Sequence, residues 1–401
     1  MGNSSGQRDV DRIELMTNAL EQSKLDALVC ALPTNVLLLS GYWPVIGTAI
    51  AVITKKGFVH VLAPEDEAEL ARAGWADVVE TFSLGSLEEI KTAVDVLRAP
   101  LTRILRDIGS QRRIVVGCES GPTVEPASYV GMHFFGTAIH RLLAEILPDE
   151  AISSANDLLS RVRSVLSPTE QARVRVACDI AGSAFLYGAE RLCASLQEME
   201  VASLFRTSLE NFPDNVARAG GFVFCMSGPN SAAAYAAYQR SRSRKTEPGD
   251  LVLIHCNSYV DGYWTDITRT FCLGLPGDEK RRMYGTIFAA REAALASIQP
   301  GVKAADVDRA ARTVLSRHGF EKQFKHGLGH GVGFAAINHN APPRLHPASS
   351  DVLEPGMIFN IEPAIYIDGL GGMRHCDMVL VTDNGPELLT PFQSGIESLV
   401  R

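Results

Sequence analysis

The chain has 401 residues, of which 46% are hydrophobic, and its formal net charge is −8. This length predicts two domains, or one large domain with a smaller one, and the apolar fraction is sufficient for buried cores. The acidic balance excludes a broad basic surface, and we interpret the one short basic run, residues 240–245, as a solvated loop. We therefore expect neither nucleic acid nor an anionic membrane as a partner.

The sequence also predicts a cellular compartment. No apolar run reaches the roughly 20 residues that span a bilayer, and residues 1–10 lack the apolar segment of a signal peptide. The eight cysteines are scattered and form no Cys-x-x-Cys pair. In a chain of this length, that pattern predicts reduced thiols and a cytoplasmic protein.

The first 150 residues alternate between helix-like and strand-like segments. The predicted elements are a helix at 13–24, strands at 27–31, 49–53 and 58–62, a helix at 88–108 and a strand at 113–117. The Lys-Lys-Gly sequence between the second and third strands indicates a hairpin. This alternation predicts a small α/β domain over residues 1–160.

A strong helix start opens the second part of the chain. Ser167 can cap the helix, Pro168 suits its first position, and Glu170 can close a capping box. A domain boundary is expected just before this point, and we assign residues 161–401 to a second domain. Hairpins and helices follow without a regular βαβ order, so the predicted fold class is α/β in the broad, α+β sense.

Two polar residues face each other in a predicted hairpin. His255 lies in an apolar strand, and Asp266 follows an Asp-Gly turn. With a two-residue turn, residue 260 pairs with 263 and residue 257 with Asp266. His255 and Asp266 then share one face of the hairpin, roughly 7–8 Å apart. Side chains at that separation can converge on one ion.

Further candidates lie nearer the C-terminus. Residues 326–334 contain four glycines, which exclude an ordinary helix and let the backbone pass close to a ligand. His326 and His330, four residues apart, suit metal ligation or proton transfer. Glu362 ends an apolar strand, so we expect it to pair with a metal or a cation. Cys376 follows on another strand.

Together these motifs resemble the pita-bread family of aminopeptidase P, prolidase, methionine aminopeptidase and creatinase. The motifs are residues 262–270, Gly-His-Gly at 329–331, Leu-Glu-Pro-Gly-Met at 353–357 and Ile-Glu-Pro at 361–363. The resemblance implies a pita-bread catalytic domain after a creatinase-type N-terminal domain. It also implies a hydrolase and, by analogy, a homodimer.

The resemblance implies a metal site with two exchanged ligands. In the family's peptidases, two Asp, one His and two Glu bind two divalent metals that activate a bridging water. Carried over by position, the ligands in this chain are His255, Asp266, His330, Glu362 and Cys376. Fewer carboxylates argue against two hard ions of the Mn²⁺ type and favour one softer ion per chain, Zn²⁺ or Fe²⁺.

Other roles follow from the same resemblance. Residues 227–231 resemble the family's substrate loop, which usually ends in a catalytic histidine where this chain has Tyr235. His326 matches a histidine that contacts substrate, and His339 falls about two residues late for another. We therefore predict His326, His339 and Glu362 as catalytic residues. Tyr235 is also predicted to bind substrate. Apart from the resemblance, Arg374 is predicted to bind a carboxylate group of the substrate, in the case that the enzyme works without a metal.

Three functions remain open at this point. The first is a hydrolase that cleaves a C–N bond (peptide, amide or amidine) in a small amino-acid-derived substrate or short peptide, with a retuned mononuclear metal site. The second is a metal-independent enzyme resembling creatinase or ectoine hydrolase, which uses His and Glu, or Cys376 as a thiolate nucleophile. The third is a non-catalytic binding protein on the same fold.

Overall fold

The computed structural model describes residues 7–44, 48–83, 92–109, 113–119, 137–210, 216–237, 240–339, 341–393, 395 and 399–401. The chain divides into two compact units, Met1–Arg163 and Ser164–Arg401. Helices and strands occur in both units, in agreement with the predicted mixed α/β class. None of the helices in the described ranges is both long and apolar enough to cross a membrane.

The first unit is built on a mixed sheet with the strand order β4-β3-β2-β1-β5-β6. Its strands are β1 (Ala27–Cys30), β2 (Ile50–Thr54), β3 (Val59–Pro64), β4 (Val78–Phe82), β5 (Val116–Cys118) and β6 (Ile152–Ser154). Its helices are α1 (Val10–Gln22), α2 (Pro33–Ser40), α3 (Ala68–Ala73), α4 (Ala93–Ile108), α5 (Thr137–Ile146) and α6 (Asn156–Ser164). The predicted hairpin is the antiparallel pair β2–β3.

An apolar cluster on this sheet explains why α4 folds where it does. Leu97, Leu101 and Leu105 recur every four residues, so they form one stripe of the helix, and all three are buried in the cluster. The helix was predicted from residue 88, and residues 88–91 lie outside the described residues.

The strand predicted at 113–117 begins later, at Val116, so that boundary was wrong. The reason is that Val115 N–H donates to the Asp26 side chain rather than to a strand partner.

The second unit contains four small sheets and five helices among its described residues. The helices are α7 (Pro168–Arg191), α8 (Glu198–Arg206), α9 (Ala234–Ala237), α10 (Asp278–Ser297) and α11 (Ala304–Arg317). The sheets are β10-β8-β7 with β9 beside β8, β11-β12, β13-β16-β17 and β14-β15. Strands β7 to β12 are Ala219–Ser227, Leu251–Val260, Tyr263–Trp264, Ile267–Cys272, Gly329–His330 and Arg344–Leu345. Strands β13 to β17 are Ile358–Ile361, Ala364–Ile367, Gly371–Arg374, Asp377–Thr382 and Gly385–Leu388.

Helix α7 begins as its sequence predicts. The Ser167 hydroxyl accepts from Glu170 N–H, and the Glu170 carboxylate accepts from Ser167 N–H, so the capping box is complete. Helix α8 ends at Arg206, and a 3-10 turn follows. The rings of Phe185 on α7 and Phe205 on α8 meet edge to face at 5.6 Å, which packs the two helices together.

The predicted hairpin register is confirmed on both sides of its turn. Val260 pairs with Tyr263, and His255 pairs with Thr268. Both turn residues have positive φ, as a two-residue hairpin turn of this kind requires. The second strand is interrupted between β9 and β10, and Asp266 lies in that interruption. Asp266 is therefore flanked along the chain by the two short strands β9 and β10.

Close backbone contacts join segments that are far apart in the chain. Thr268 and Cys376 form an isolated antiparallel bridge, and Gly331 forms another with Phe359. Gly329 packs so tightly on β13 that a Cβ at this position would lie 1.9 Å from the backbone oxygen of Asn360. The glycine-rich run thus lets its backbone pass close to another group, and at Gly329 that group is the neighbouring strand β13.

This contact predicts a stability difference between two glycine-to-alanine variants. Gly329→Ala must push β11 and β13 apart, so it should lower the free energy of unfolding by about 1–3 kcal/mol. Gly277→Ala is the matched control, because its added Cβ would meet no atom within 4 Å. Thermal unfolding followed by circular dichroism checks this. Equal melting temperatures for the two variants would contradict the packing described.

Candidate functional site

Asp266 lies at the centre of a buried group of predicted site residues. Its Oδ1 is 3.5 Å from His255 Nδ1 and 3.9 Å from Cys376 Sγ, and its Oδ2 is 3.4 Å from His330 Nε2. All four residues are buried. The structure therefore brings together four of the five predicted ligands. The fifth, Glu362, makes its ionic contacts elsewhere, with Arg374 and His326.

Sequence reasoning missed Asn360, a fully buried residue of β13 that reaches the same group. Its amide nitrogen is 3.4 Å from Asp266 Oδ2, 3.3 Å from His330 Nε2 and 3.4 Å from Cys376 Sγ. The available signal is its position two residues before Glu362, as a lone amide within an apolar strand. Strand alternation puts residues two apart on one face.

Two further residues that the sequence did not indicate orient His255. Asn257 Oδ1 lies 3.1 Å from His255 Nε2, and Thr268 Oγ1 lies 3.1 Å from Nδ1. Because a carbonyl oxygen only accepts, Nε2 carries the proton and Nδ1 presents the lone pair. Burial lowers the pKa of His255 to about 4, against the opposing effect of Asp266. The ring is therefore neutral at pH 7.

A buried guanidinium supplies the positive charge of the site. Arg374 Nη2 donates to His255 Nδ1 at 3.0 Å, and Arg374 Nε donates to Thr268 Oγ1 at 3.1 Å. Arg374 Nε also lies 3.6 Å from Glu362. Burial opposes this charge, but the nearby acidic groups, among them Tyr366, Glu362 and Asp266, raise the pKa of Arg374 further. Arg374 therefore stays positively charged, and its N–H occupies the lone pair of His255 Nδ1.

Glu362 has a different environment from Asp266. Its carboxyl lies 3.6 Å from Arg374 Nε and 4.0 Å from His326 Nδ1. Among the described residues, no side chain or backbone N–H donates a hydrogen bond to it. Burial raises its pKa to about 7, although Arg374 opposes the shift. This carboxyl is therefore poised between its two protonation states near neutral pH.

Asp266 and His330 face each other as a buried pair. His330 Nδ1 lies 3.1 Å from the Gly331 carbonyl, to which it donates, so Nε2 faces Asp266. Burial alone would lower the pKa of His330, but Asp266 raises it above its usual value. Burial would likewise raise the pKa of Asp266, and the two neighbouring histidines, His255 and His330, lower it. Each member of the pair thus favours the charged form of the other.

Cys376 is a thiol in this arrangement. Burial raises its pKa well above the usual value, and the charges of Asp266 and Glu362 raise it further. Its Sγ lies 3.1 Å from the backbone oxygen of Asp266, which accepts the S–H. A reactive cysteine needs a lowered pKa, so the geometry does not support the thiolate alternative.

The remaining predicted residues surround this group. His326 Nδ1 donates to the Gly327 carbonyl, and its Nε2 accepts from the Tyr366 hydroxyl at 3.1 Å. Burial and Arg374 lower the pKa of His326 to about 3. The ring of Tyr235 is 5.7 Å from that of Tyr366 and is 38% exposed, so Tyr235 lies at the edge of the site.

His339 approaches the site from the side of His330. The two imidazole rings meet edge to face, with their centroids 5.0 Å apart. Burial and the neighbouring His330 lower the pKa of His339 to about 4. His339 is therefore neutral, and its described contact is with His330 rather than with Glu362.

The directions of the lone pairs decide whether these residues fit a divalent metal. The part of the chain that the structure describes contains no group of three or more His, Cys, Asp or Glu side chains arranged to hold a metal ion. The lone pair of His255 accepts from Arg374, and the Asn360 amide faces Asp266, His330 and Cys376. Glu362 is turned toward Arg374. The arrangement does not fit the family's five-ligand set, and we derive no step through a metal.

Comparison with known proteins assigns the chain to a family. The model of metallopeptidase family M24 matches residues 172–383, more than half of the chain. An Xaa-Pro dipeptidase of Pyrococcus horikoshii is 27% identical over 381 residues, which are 95% of this chain and 97% of the relative.

Solved structures agree with that assignment. The prolidase from Pyrococcus horikoshii superimposes with a TM-score of 0.75 at 26% identity, over 95% of this chain and 98% of the other. The Xaa-Pro dipeptidase from Bacillus anthracis gives a TM-score of 0.78 at 22% identity, over 98% and 100%, and shows the shared fold. The pita-bread fold and the predicted hydrolase class are confirmed, and the chain belongs to metallopeptidase family M24.

Proposed function

We propose that this protein hydrolyses a peptide or related C–N bond in a short, amino-acid-derived substrate, with Glu362 as its base. The observation that carries the proposal is the position of this carboxyl. It is buried, it lies between Arg374 and His326, and no group among the described residues donates a hydrogen bond to it. A buried carboxyl without a donor is available to accept a proton from water.

The proposed reaction uses the residues already positioned in the site. Glu362 removes a proton from a water molecule, whose oxygen attacks the carbonyl carbon of the scissile bond. The oxyanion forms beside the fixed charge of Arg374, which stabilises it and attracts a substrate carboxylate. The C–N bond then breaks, and Glu362 returns its proton to the leaving nitrogen.

The outer residues suit a small substrate. Tyr235 and Tyr366 form an aromatic edge, and the Tyr366 hydroxyl fixes the orientation of His326. We propose that Tyr235 and His326 contact the substrate there, whereas His339 supports His330 from the side. An aromatic edge suits the apolar ring of a proline residue, and the names of the relatives support Xaa-Pro peptides as the first substrates to test.

Other parts of the sequence-based hypothesis remain predictions. They are the homodimer and the cytoplasmic location. The single Zn²⁺ or Fe²⁺ predicted at His255, Asp266, His330, Glu362 and Cys376 is not part of this proposal, because the arrangement of these residues does not fit it. The contacts of Asn360 and Arg374 favour the metal-independent alternative, in which His and Glu residues act without an ion. We make no separate proposal for a non-catalytic binding protein, because the family assignment supports a hydrolase.

Glu362→Gln tests the base directly. The amide keeps the shape of the side chain but cannot take a proton, so kcat should fall about 10²–10⁴-fold on a panel of Xaa-Pro dipeptides, with little change in KM. Glu354→Gln is the matched control, because Glu354 lies on the same segment and is exposed. An unchanged kcat for Glu362→Gln, in folded protein, would contradict the proposal.

The pH dependence provides a second test of the same base. The pKa of Glu362 is raised to about 7, and only the ionised form can accept a proton. The value of kcat/KM should therefore level off above pH 7 and fall about tenfold for each unit below it. A stopped assay from pH 5 to 9 measures the profile. A flat profile across this range would mean that another group limits the reaction.

Cysteine chemistry separates this mechanism from the thiolate alternative. Cys193 is exposed and the other seven cysteines are buried, so a disulfide reagent should modify Cys193 quickly and Cys376 only after unfolding. Cys376→Ser retains a donor for the Asp266 carbonyl and should keep activity within about tenfold. Mass spectrometry identifies the labelled thiols. Fast labelling of Cys376, or loss of turnover in its serine variant, would favour a nucleophilic role.

A further inference from the structure

The orientation of the Asn360 amide is fixed by a backbone group. The backbone N–H of His330 donates to Asn360 Oδ1 at 2.8 Å. A backbone N–H only donates, so the oxygen of the amide must face it and the NH₂ must face the opposite way. Rotating the amide by 180° would bring two donors together at this distance. Asn360 is fully buried, so no water molecule from bulk solvent reaches it to relieve that conflict.

The fixed NH₂ group faces three atoms that are typical metal ligands. Asp266 Oδ2, His330 Nε2 and Cys376 Sγ all lie 3.3–3.4 Å from the amide nitrogen. One carboxylate, one imidazole and one cysteine form a set that suits Zn²⁺ or Co²⁺, with bonds of about 2.0–2.3 Å. An ion bonded to all three atoms would lie directly in front of the amide hydrogens, whose partial positive charges repel it.

A second positive group, the Arg374 guanidinium, lies beside His255 and close to the set. The Arg374 guanidinium donates to His255 Nδ1 at 3.0 Å, so this nitrogen has no lone pair left for an ion. Arg374 is buried, and its charge is close to that of any cation bound at Asp266. Like charges in a buried environment repel strongly. A cation at the three-atom set would therefore meet both the amide hydrogens of Asn360 and the nearby charge of Arg374.

We propose that Asn360 excludes divalent metals from the Asp266–His330–Cys376 set, and that removal of its amide converts the set into a transition-metal site. An aspartate at position 360 keeps one oxygen as the acceptor for His330 N–H. Its second oxygen then replaces the NH₂ and completes a four-atom set of oxygen, nitrogen and sulfur ligands. This inference does not depend on the proposed hydrolytic mechanism, because it concerns binding alone.

Equilibrium dialysis against Co²⁺ tests the proposal in the full-length chain, because cobalt reports thiolate ligation by an intense near-ultraviolet absorption. Wild-type protein should take up no stoichiometric cobalt. Asn360→Asp should bind about one ion per chain, with affinity raised at least about tenfold. The double variant Asn360→Asp with Cys376→Ser should lose the near-ultraviolet band. Asn384→Asp, the same change at an exposed position, should behave as wild type.

Three outcomes would overturn the proposal. The first is stoichiometric metal in wild-type protein, measured by elemental analysis after purification without chelator. The second is the absence of cobalt binding in a folded Asn360→Asp variant, with folding confirmed by circular dichroism. If that variant does not fold, Asn360→Ala replaces it, because it also removes the amide hydrogens. The third is a cobalt spectrum unaffected by Cys376→Ser, which would place the ion elsewhere.

Discussion

The buried guanidinium of Arg374 is the constraint on which the chemistry of the site depends. A buried cation is costly unless nearby acceptors and carboxylates compensate it, and the loss of a partner leaves that cost exposed. Thr268 and His255 accept its hydrogens, and Glu362 lies 3.6 Å away. Together with burial, these contacts set the protonation states of the neighbouring side chains. The His255 ring is neutral, and its lone pair accepts a hydrogen bond from Arg374. Glu362, by contrast, retains a carboxyl that can exchange a proton.

The fold holds this cation by joining segments that are distant in the chain. Thr268 and Cys376 form a bridge between β10 and the short link that joins β15 to β16. Beside it, Arg269 donates to the carbonyl of Cys376 and to the carboxylate of Asp377, both at 2.7 Å. Arg291 on α10 forms an ion pair with the same carboxylate. One buried acidic residue thus ties three elements together, which limits how far Cys376 and Arg374 can move.

The sequence predicted those parts of the site that local rules determine. The Asp-Gly turn and strand alternation set the register of β8 with β9 and β10, so the approach of His255 to Asp266 could be foreseen. The contact between His330 and Asn360 could not, because it depends on β11 and β13 meeting through tertiary packing at Gly329. The start of β5 was wrong for a similar reason, since a side chain of another segment takes the bond of Val115.

Residue types that bind metals do not by themselves make a metal site. His255, Asp266, His330 and Cys376 all belong to the common ligand types, and the structure brings them together. What matters for coordination is whether each lone pair is free to point at a common position. Here an arginine N–H takes the lone pair of His255, and an amide whose orientation a backbone N–H fixes faces the other three. The polar groups that form hydrogen bonds with these buried side chains therefore also limit which ligands the side chains can bind.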